Sequence, residues 1–398
     1  MRPRARQAFE EQLQHAESLQ REGHWEEAAH TFCGAASLAI GYRAFGPACV
    51  AFGAAGEAFR RADRVEKARD MLRLALTRHD DEGPTGPYPT DTDRVLYQVR
   101  LSSCLTELGN GPAALQLLEG ALSATPPGSP LHVLVADADF GTRLGFGDLS
   151  DLHERLPALE SNAWSHQLRE AQWLRLQARL PEADAGLARL EAQLEGVEGA
   201  AAGLGGVRSE RAEIAALMGD PAGSAVTWAE SAADHERAGR TSLMWRAEAG
   251  RVRCLVEAGV VPFPNRLDEG MEWAANRRMV TLRIDLALAA AIARSDGARL
   301  AQVRDQALEV GLARRAGRAE LARAALLDGM NRMAPLQRAE ALLAGDRPYE
   351  LRARVLHAET LAGVSRSAGV TAAQRLVDAL ETAAMAPELA RVRALLEG

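Results

Sequence analysis

The chain has 398 residues, a net charge of −7, and only 5% aromatic residues. Its four cysteines, at positions 33, 49, 104 and 254, lack metal-ligand spacing and make no disulfide framework, which excludes a disulfide-stabilised secreted domain. No segment approaches the roughly 20 apolar residues of a membrane span, and the basic residues of Met1–Gln7 are not followed by the apolar stretch of a secretory signal. We therefore expect a cytoplasmic protein without membrane insertion.

Composition favours an all-α fold. Ala, Leu, Arg and Glu are abundant, and all four are strong helix formers. No convincing run of alternating β-branched residues indicates a strand. Lysine occurs once, at Lys67, and this arginine bias indicates a GC-rich genome, which we interpret as bacterial.

A two-part pattern of small and large residues recurs along the chain. In the first part, a small residue is followed three positions later by a large one. The second part begins twelve positions after the first small residue and consists of a small residue, a large residue and usually another small one. The five copies are Ala16, Leu19, Ala28, Phe32, Ala35; Gly56, Phe59, Ala68, Leu72, Ala75; Ser102, Leu105, Ala114, Leu118, Ala121; Ala171, Leu174, Ala183, Leu187, Leu190; and Ala212, Ala215, Ser224, Trp228, Ser231.

This spacing predicts antiparallel helix pairs. Small residues let two helices cross closely, and large residues fill the space beside the crossing. Between the two parts lie turn sequences, for example Glu22-Gly23-His24, Ala62-Asp63-Arg64, Leu108-Gly109-Asn110 and Met218-Gly219-Asp220. Asp220-Pro221 also predicts a helix start, with a capping side chain before a proline in the first helical position.

The pattern resembles the tetratricopeptide repeat (TPR) family, most clearly over residues 9–125 and 165–235. Gly56-x2-Phe59 followed by Ala68-x3-Leu72-x2-Ala75 is the copy most similar to the family signature. The resemblance implies a right-handed α-solenoid, a TPR-like superhelix, of about ten antiparallel helix pairs.

The predicted pairs cover most of the chain. Their approximate spans are 7–41, 44–80, 92–125, 131–161, 165–196, 207–238, 241–279, 280–314, 316–345 and 349–385, with a capping helix at 387–397. Breaks are expected at 80–89, 123–130, 196–207 and 260–265, the third as a flexible joint with glycine turns at 203–206.

A change in charge accompanies the last break. Residues 1–259 contain 27 Lys and Arg against 37 Asp and Glu, whereas residues 260–398 contain 20 against 17. We expect an acidic TPR-like region at 1–259 and a second region of degenerate helical repeats at 260–398.

The resemblance also implies a binding surface, because the first helix of each pair lines the concave face of a TPR superhelix. The polar candidates on these helices are Glu17, Arg21, Glu57, Arg60, Arg61, Glu107, Arg169, Gln172, Arg175, Glu210 and Glu213. The family's clamp for a C-terminal carboxylate uses lysines and asparagines, and a chain with one lysine cannot build that pattern. Arginine could replace lysine as a bidentate carboxylate ligand.

Other chemistry is only weakly indicated. Asp139-Phe140-Gly141 matches a kinase tripeptide but lacks the rest of the kinase motifs. His24, His30 and Cys33 lack further metal ligands, so no metal and no cofactor is predicted. We do not expect a nucleic-acid partner, because the arginine-rich stretches carry no interleaved aromatic residues and are interrupted by acids. The arginines of these stretches are Arg277, Arg278, Arg283, Arg314, Arg315, Arg318 and Arg323.

The sequence therefore predicts a non-catalytic scaffold or adaptor that binds a partner peptide or helix in its groove. An alternative is a regulatory sensor that closes around a small peptide or ligand and relays the change. An enzyme is the third possibility, with no catalytic residue to nominate. The sequence does not specify the oligomeric state.

Overall fold

A computed structural model describes residues 3–82, 90–160, 162–260 and 265–397. Over these residues the chain forms α-helices joined by short turns, with two short 3₁₀ segments and no β-strand. The all-α expectation is confirmed, and helices that follow one another in the sequence pack against one another. No helix in this described part is both long enough and apolar enough to cross a bilayer.

The chain divides into two compact units. Unit 1 comprises Met1–Thr142 and Ala275–Thr281, and unit 2 comprises Arg143–Ala274 and Leu282–Gly398. The described helices are α1 (Pro3–Arg21), α2 (Trp25–Gly41), α3 (Phe45–Arg61), α4 (Val65–Glu82), α5 (Asp91–Glu107), α6 (Gly111–Ala124), α7 (Pro130–Phe146), α8 (Leu152–Arg155), α9 (Ala163–Leu176), α10 (Leu180–Leu194), α11 (Ala201–Met218), α12 (Pro221–Arg237), α13 (Thr241–Glu257), α14 (Asn265–Asn276), α15 (Val280–Ala293), α16 (Gly297–Glu309), α17 (Ala313–Ala325), α18 (Met333–Leu342), α19 (Arg347–Ala362), α20 (Arg366–Gln374), α21 (Val377–Thr382) and α22 (Ala386–Glu397).

These helices follow the predicted pairs closely, with two exceptions. In the last pair the second partner is divided between α20 and α21, and in the fourth pair it is shortened. The fourth pair joins the full-length α7 to the four-residue α8, which continues as a 3₁₀ segment at Leu156–Leu159. Pro157 lies in that segment, and a proline lacks the backbone N–H that an α-helical turn requires. The second helix predicted within residues 131–161 is thus interrupted by its own sequence.

The repeated small and large residues form the core between paired helices. Every signature position is buried except the half-buried Leu19, Leu174 and Ala215. At the crossing of α3 and α4, a Cβ atom added to Gly56 would lie 2.6 Å from Cγ of Leu72. The backbones approach so closely that only hydrogen fits at this position, as the signature predicts.

The turns between paired helices use the left-handed backbone conformation. Gly219 ends α11 with a φ of 105°, and Asp63 takes the same role after α3 with a φ of 56°. Asp220 then caps α12, because its Oδ1 accepts the backbone N–H of Gly223 at 2.8 Å, and Pro221 is the first residue of the helix.

Residues 196–207 do not form the predicted glycine-rich joint throughout. Gly196 and Gly199 have positive φ values and make a turn, but α11 already begins at Ala201. Gly205 therefore lies in a helix, where a Cβ atom would lie 2.6 Å from Cε1 of His235 on α12. The glycines serve close helix packing there, which composition alone does not distinguish from a flexible loop.

Two of the other predicted breaks, at 80–89 and 260–265, lie largely outside the described residues, because the structure does not describe 83–89 and 261–264. The division of the chain into an acidic region and a degenerate region near residue 260 stays a prediction.

Unit 2 has a core that joins its early and late helices. Buried leucines of α10 and α11, such as Leu187 and Leu217, belong to the same apolar cluster as Leu351 of α19, Leu380 of α21 and Val392 of α22. This packing places polar residues of α9 and α11 beside α19, although more than 100 residues of sequence separate them.

Candidate functional site

A cluster of buried charges lies at the centre of unit 2. The carboxylate of Glu213, on α11, accepts a hydrogen bond of 2.6 Å from the hydroxyl of Tyr349, on α19. The same carboxylate pairs with Arg318 of α17 at 2.9 Å and with Arg253 of α13 at 3.4 Å. One acidic side chain thus connects four helices of unit 2.

The electrostatics keep this cluster ionised. Burial alone would raise the pKa of Glu213, but the guanidinium groups of Arg318 and Arg253 outweigh burial and hold the pKa well below its usual range. The guanidinium of Arg318 also lies 3.9 Å from the ring centre of Tyr349, in a cation–π contact. Burial raises the pKa of the Tyr349 hydroxyl, which therefore stays protonated and donates to Glu213.

A second carboxylate, Asp346, gathers three arginines just before α19. It is fully buried, and its Oδ2 accepts from Nε and Nη2 of Arg314 at 2.9 and 2.6 Å. Arg318 and Arg175 lie 3.7 and 3.8 Å from the same carboxylate. Their charges outweigh burial and lower the pKa of Asp346, so the acid remains ionised.

A third carboxylate, Asp285 of α15, pairs with Arg315 at 2.5 Å and with Arg246 at 3.5 Å. Arg315 also donates to the backbone carbonyl of Gly145, as Arg314 does to that of Leu144, each at 2.9 Å. These carbonyls belong to the last turn of α7, where helical partners are missing and positive charge is favoured. Arg314 and Arg315, two of the arginines weighed for nucleic-acid binding, thus join elements of unit 2 to one another.

A pocket of about 540 Å³ adjoins the Glu213 cluster. Its apolar walls include Leu288, Ile292, Leu300, Leu321 and Leu356. Its polar lining includes Glu213, Arg253, Glu257, Ser295, Arg318, Tyr349, Arg352, Glu388 and Arg391. This volume lies within the range of about 300–1,000 Å³ that is usual for small-molecule sites.

The C-terminal helix contributes to this pocket. Pro387 and Glu388 of α22 line it, and Glu388 pairs with Nε of Arg352 at 2.8 Å. Pro387 packs so closely on the end of α11 that a Cβ atom at Gly219 would lie 2.7 Å from its ring. The predicted capping helix therefore also forms part of the pocket wall.

The candidate groove residues of unit 2 are bonded to one another. Arg169 donates to Gln172 at 2.9 Å, Gln172 donates to Glu210 at 2.8 Å, and Arg175 donates to Glu210 at 3.1 Å. Arg175 is only 4% exposed. The structure thus brings these residues and Glu213 together, with Arg175 and Glu213 contacting groups of the α19 region.

The candidate groove residues of unit 1 form a separate group on α3. Glu57 pairs with Arg60 at 2.8 Å and with Arg61 at 2.9 Å, and Arg100 of α5 lies 3.4 Å from it. Burial opposes ionisation, but Arg60 and Arg61 outweigh it and lower the pKa of Glu57 to about 2. Three guanidinium groups therefore surround one ionised carboxylate.

The remaining candidates of unit 1 are Glu17, Arg21 and Glu107. Glu17 and Arg21 are exposed on α1, where Nε of Arg21 lies 3.4 Å from the carbonyl of Glu17. Glu107 accepts a hydrogen bond of 2.8 Å from the hydroxyl of Thr281.

The residues considered for metal or kinase chemistry have packing roles. The ring of His30 meets the ring of Phe59 edge-on at 5.2 Å, and the sulfur of Cys33 lies 3.5 Å from that of Met71. Phe140 of the kinase-like tripeptide is fully buried within α7. Among the described residues, no three His, Cys, Asp or Glu side chains are arranged to hold a metal ion.

Sequence reasoning missed Arg253, Arg318, Asp346 and Tyr349 as parts of one site. The sequence analysis weighed Arg318 only for nucleic-acid binding, and the other three residues lie outside the recognised repeat copies. Their common feature is a polar residue placed on, or just before, the first helix of a pair.

Comparisons with known proteins give a distant structural likeness. No protein-family model and no curated protein matches this sequence. A solved structure described as the human IFIT1 dimer with PPP-AAAA matches with a TM-score of 0.37 and 13% sequence identity. The match covers 96% of this chain and 85% of that chain.

Proposed function

We propose that this chain is a non-catalytic helical-repeat scaffold of the TPR type that binds another protein or a peptide. The observation that carries the proposal is the arginine group around Glu57 in unit 1. Arg60, Arg61 and Arg100 come from α3 and α5, the first helices of consecutive pairs. A TPR superhelix binds its partners through such helices.

The charge of this group favours an acidic partner segment. Three guanidinium groups face one carboxylate, and the side chains of Arg61 and Arg100 remain 38% and 31% exposed. Arginine presents its donors in a planar fork that matches a carboxylate, so it can hold Glu57 and still donate to a second acid. A peptide or helix that carries Asp, Glu or a terminal carboxylate fits this surface.

Affinity purification of the tagged chain from its native host, read by mass spectrometry, tests the proposal. Arg100→Glu should release a stoichiometric partner, because it places a negative charge beside Glu57. Arg73→Glu makes the same charge change at an exposed position of α4, a second helix, and should retain the partner. If Arg100→Glu folds normally and retains the partner at wild-type yield, this surface is not the binding site.

A second candidate function, a ligand-responsive sensor, is favoured by the pocket in unit 2. The pocket is lined by residues of α11, α13, α15, α17, α19 and α22, so an occupant would contact helices from both the beginning and the end of this unit. Ligand binding would then change the stability of unit 2 as a whole. Scattering profiles that are identical with and without a bound ligand would contradict a relayed change of shape.

A further inference from the structure

The polar groups of the unit 2 pocket differ in how fully their hydrogen bonds are used. Both oxygens of Glu213 have partners, namely Tyr349 and Arg318 on one and Arg253 on the other. Arg352 donates to the carbonyl of Ala216 at 3.0 Å and pairs with two carboxylates. Glu213 and Arg352 thus each bind several protein groups.

Arg253 is the exception. Its guanidinium has five N–H donors, and the one hydrogen bond that it makes to a described residue is the 3.4 Å contact from Nη2 to Glu213. Its side chain is 22% exposed and lines the pocket. Among the described residues its other N–H groups have no acceptor, and because the side chain is partly exposed they are available to a ligand in the pocket.

Part of the pocket wall is apolar. Leu288 and Ile292 of α15 and Leu321 of α17 line the same pocket, and their side chains offer no hydrogen-bonding group. A ligand that fits must therefore combine an acceptor at one end with a hydrocarbon body. Because the unused donors belong to a guanidinium, a carboxylate is the best complement, since it accepts two parallel N–H bonds.

We propose that this pocket binds a small organic monocarboxylate with an apolar body. The carboxylate lies on the guanidinium of Arg253, and the hydrocarbon lies along Leu288, Ile292 and Leu321. The proposal rests on the second candidate function, a ligand site in unit 2, and is independent of the arginine group in unit 1. A peptide partner or a polar sugar would leave these walls exposed to water and is disfavoured.

Isothermal titration of the full chain with sodium octanoate tests the inference. Octanoate should bind saturably at one site per chain, whereas octan-1-ol and octyltrimethylammonium, which keep the hydrocarbon but lack the carboxylate, should bind at least tenfold more weakly. The absence of saturable octanoate binding, or equal binding of octyltrimethylammonium, would overturn the proposal.

Two variants on α13 locate the carboxylate. Arg253→Gln should weaken octanoate binding at least tenfold. Arg251→Gln removes the same charge two residues away, at a side chain that is outside the pocket lining and pairs with Glu248 at 3.1 Å, and should bind as the wild type does. Equal affinities for Arg253→Gln and the wild type would overturn the assignment of Arg253.

A third variant keeps the test decisive if Arg253→Gln fails to fold. Ala322→Leu extends a side chain of α17 into the pocket and should abolish octanoate binding while the helical content, followed by circular dichroism, is retained. Unchanged binding by this variant places the ligand elsewhere and refutes the site. Arg100→Glu should bind octanoate normally, so failure of the ligand site and failure of the protein-binding surface are distinguishable.

Discussion

The hydroxyl of Tyr349 donates a hydrogen bond of 2.6 Å to Glu213, which lies 136 residues earlier in the chain. The bond joins α19 to α11 in the middle of unit 2, beside the guanidinium groups of Arg318 and Arg253. The carboxylate is the shared acceptor of this group. Removing it should therefore lower the stability of unit 2 much more than removing one of its donors.

We expect Glu213→Gln to destabilise unit 2 by about 3 kcal/mol or more, because it leaves buried guanidinium groups without their carboxylate. Tyr349→Phe removes one donor only and should cost about 1 kcal/mol. Urea unfolding followed by circular dichroism measures both changes. Glu182→Gln, which breaks the exposed pair with Arg179, is the control and should leave the midpoint unchanged. A Glu213→Gln midpoint equal to that of the wild type would refute the role of this carboxylate.

Adjacent glycines of α11 should respond in opposite directions to alanine. A Cβ atom at Gly205 would lie 2.6 Å from the ring of the buried His235, whereas one at Gly206 meets nothing within 4 Å. Gly205→Ala should therefore destabilise the fold by about 1–3 kcal/mol. Gly206→Ala should stabilise it by about 0.5–1 kcal/mol, because alanine has the better helix propensity. Thermal unfolding compares the two, and a stabilising Gly205→Ala would show that His235 moves freely.

The stability of unit 2 should fall as the pH drops from 6.5 towards 4. Burial lowers the pKa of His235 from 6.5 to about 4, against the opposing effect of Asp234 and with the help of Arg240 and Arg246. Between these values the unfolded chain binds a proton at His235 that the folded chain does not, so stability rises with pH in this window. The contribution is at most about 3 kcal/mol, given 1.36 kcal/mol per pKa unit.

Substituting this histidine isolates its contribution. In urea titrations from pH 4 to pH 8, His235→Gln should show a shallower loss of stability between pH 6.5 and 4 than the wild type. Above pH 7.5 the difference between the two proteins should no longer change with pH. Parallel curves throughout would show that His235 binds a proton equally well in the folded and unfolded chains.

The four cysteines should react with iodoacetamide in a defined order at pH 8. Burial raises the pKa of Cys104 to about 12 and that of Cys254 to about 11, and Cys49 is fully buried. Cys33 is half-buried, although burial raises its pKa as well. Because the thiolate is the reactive form, Cys33 should be modified first and the other three only on unfolding.

Peptide mass spectrometry of briefly labelled protein identifies the modified position. Cys33→Ser should remove the early adduct, and all of the thiols should react in concentrated urea. Early labelling of Cys254 in the folded protein would show that the pocket opens further than the structure indicates.

Much of the helix pairing could be predicted from the sequence, because it depends on neighbours along the chain. Gly56 and Leu72, for example, lie sixteen positions apart, within reach of a periodic pattern. The short α8 was missed because the spacing of apolar residues carries no information about the missing N–H of Pro157. Glycines inside α11 were read as a turn because close helix packing and flexible loops select the same residue.

The polar site was predictable only in part. Arg175 and Glu213 were correctly placed on first helices, but their partners Asp346 and Tyr349 lie beyond the recognised copies. Local periodicity reports which face of a helix is apolar, not which distant helix will meet that face. The ion pairs of Arg314 and Arg315 were missed for the same reason. Their acids, Asp346 and Asp285, are about 30 positions away in sequence.

The shared apolar cluster of unit 2 has a consequence for how this unit unfolds. Repeat proteins commonly behave as one-dimensional arrays in which each repeat depends only on its neighbours and the ends fray first. Here Leu351 and Val392 belong to the same cluster as Leu187 and Leu217, so the last helices support the first. Loss of α22 would thus destabilise α11 as well as its sequence neighbours. Unit 2 should therefore unfold in a single cooperative transition, without earlier fraying of its last helices.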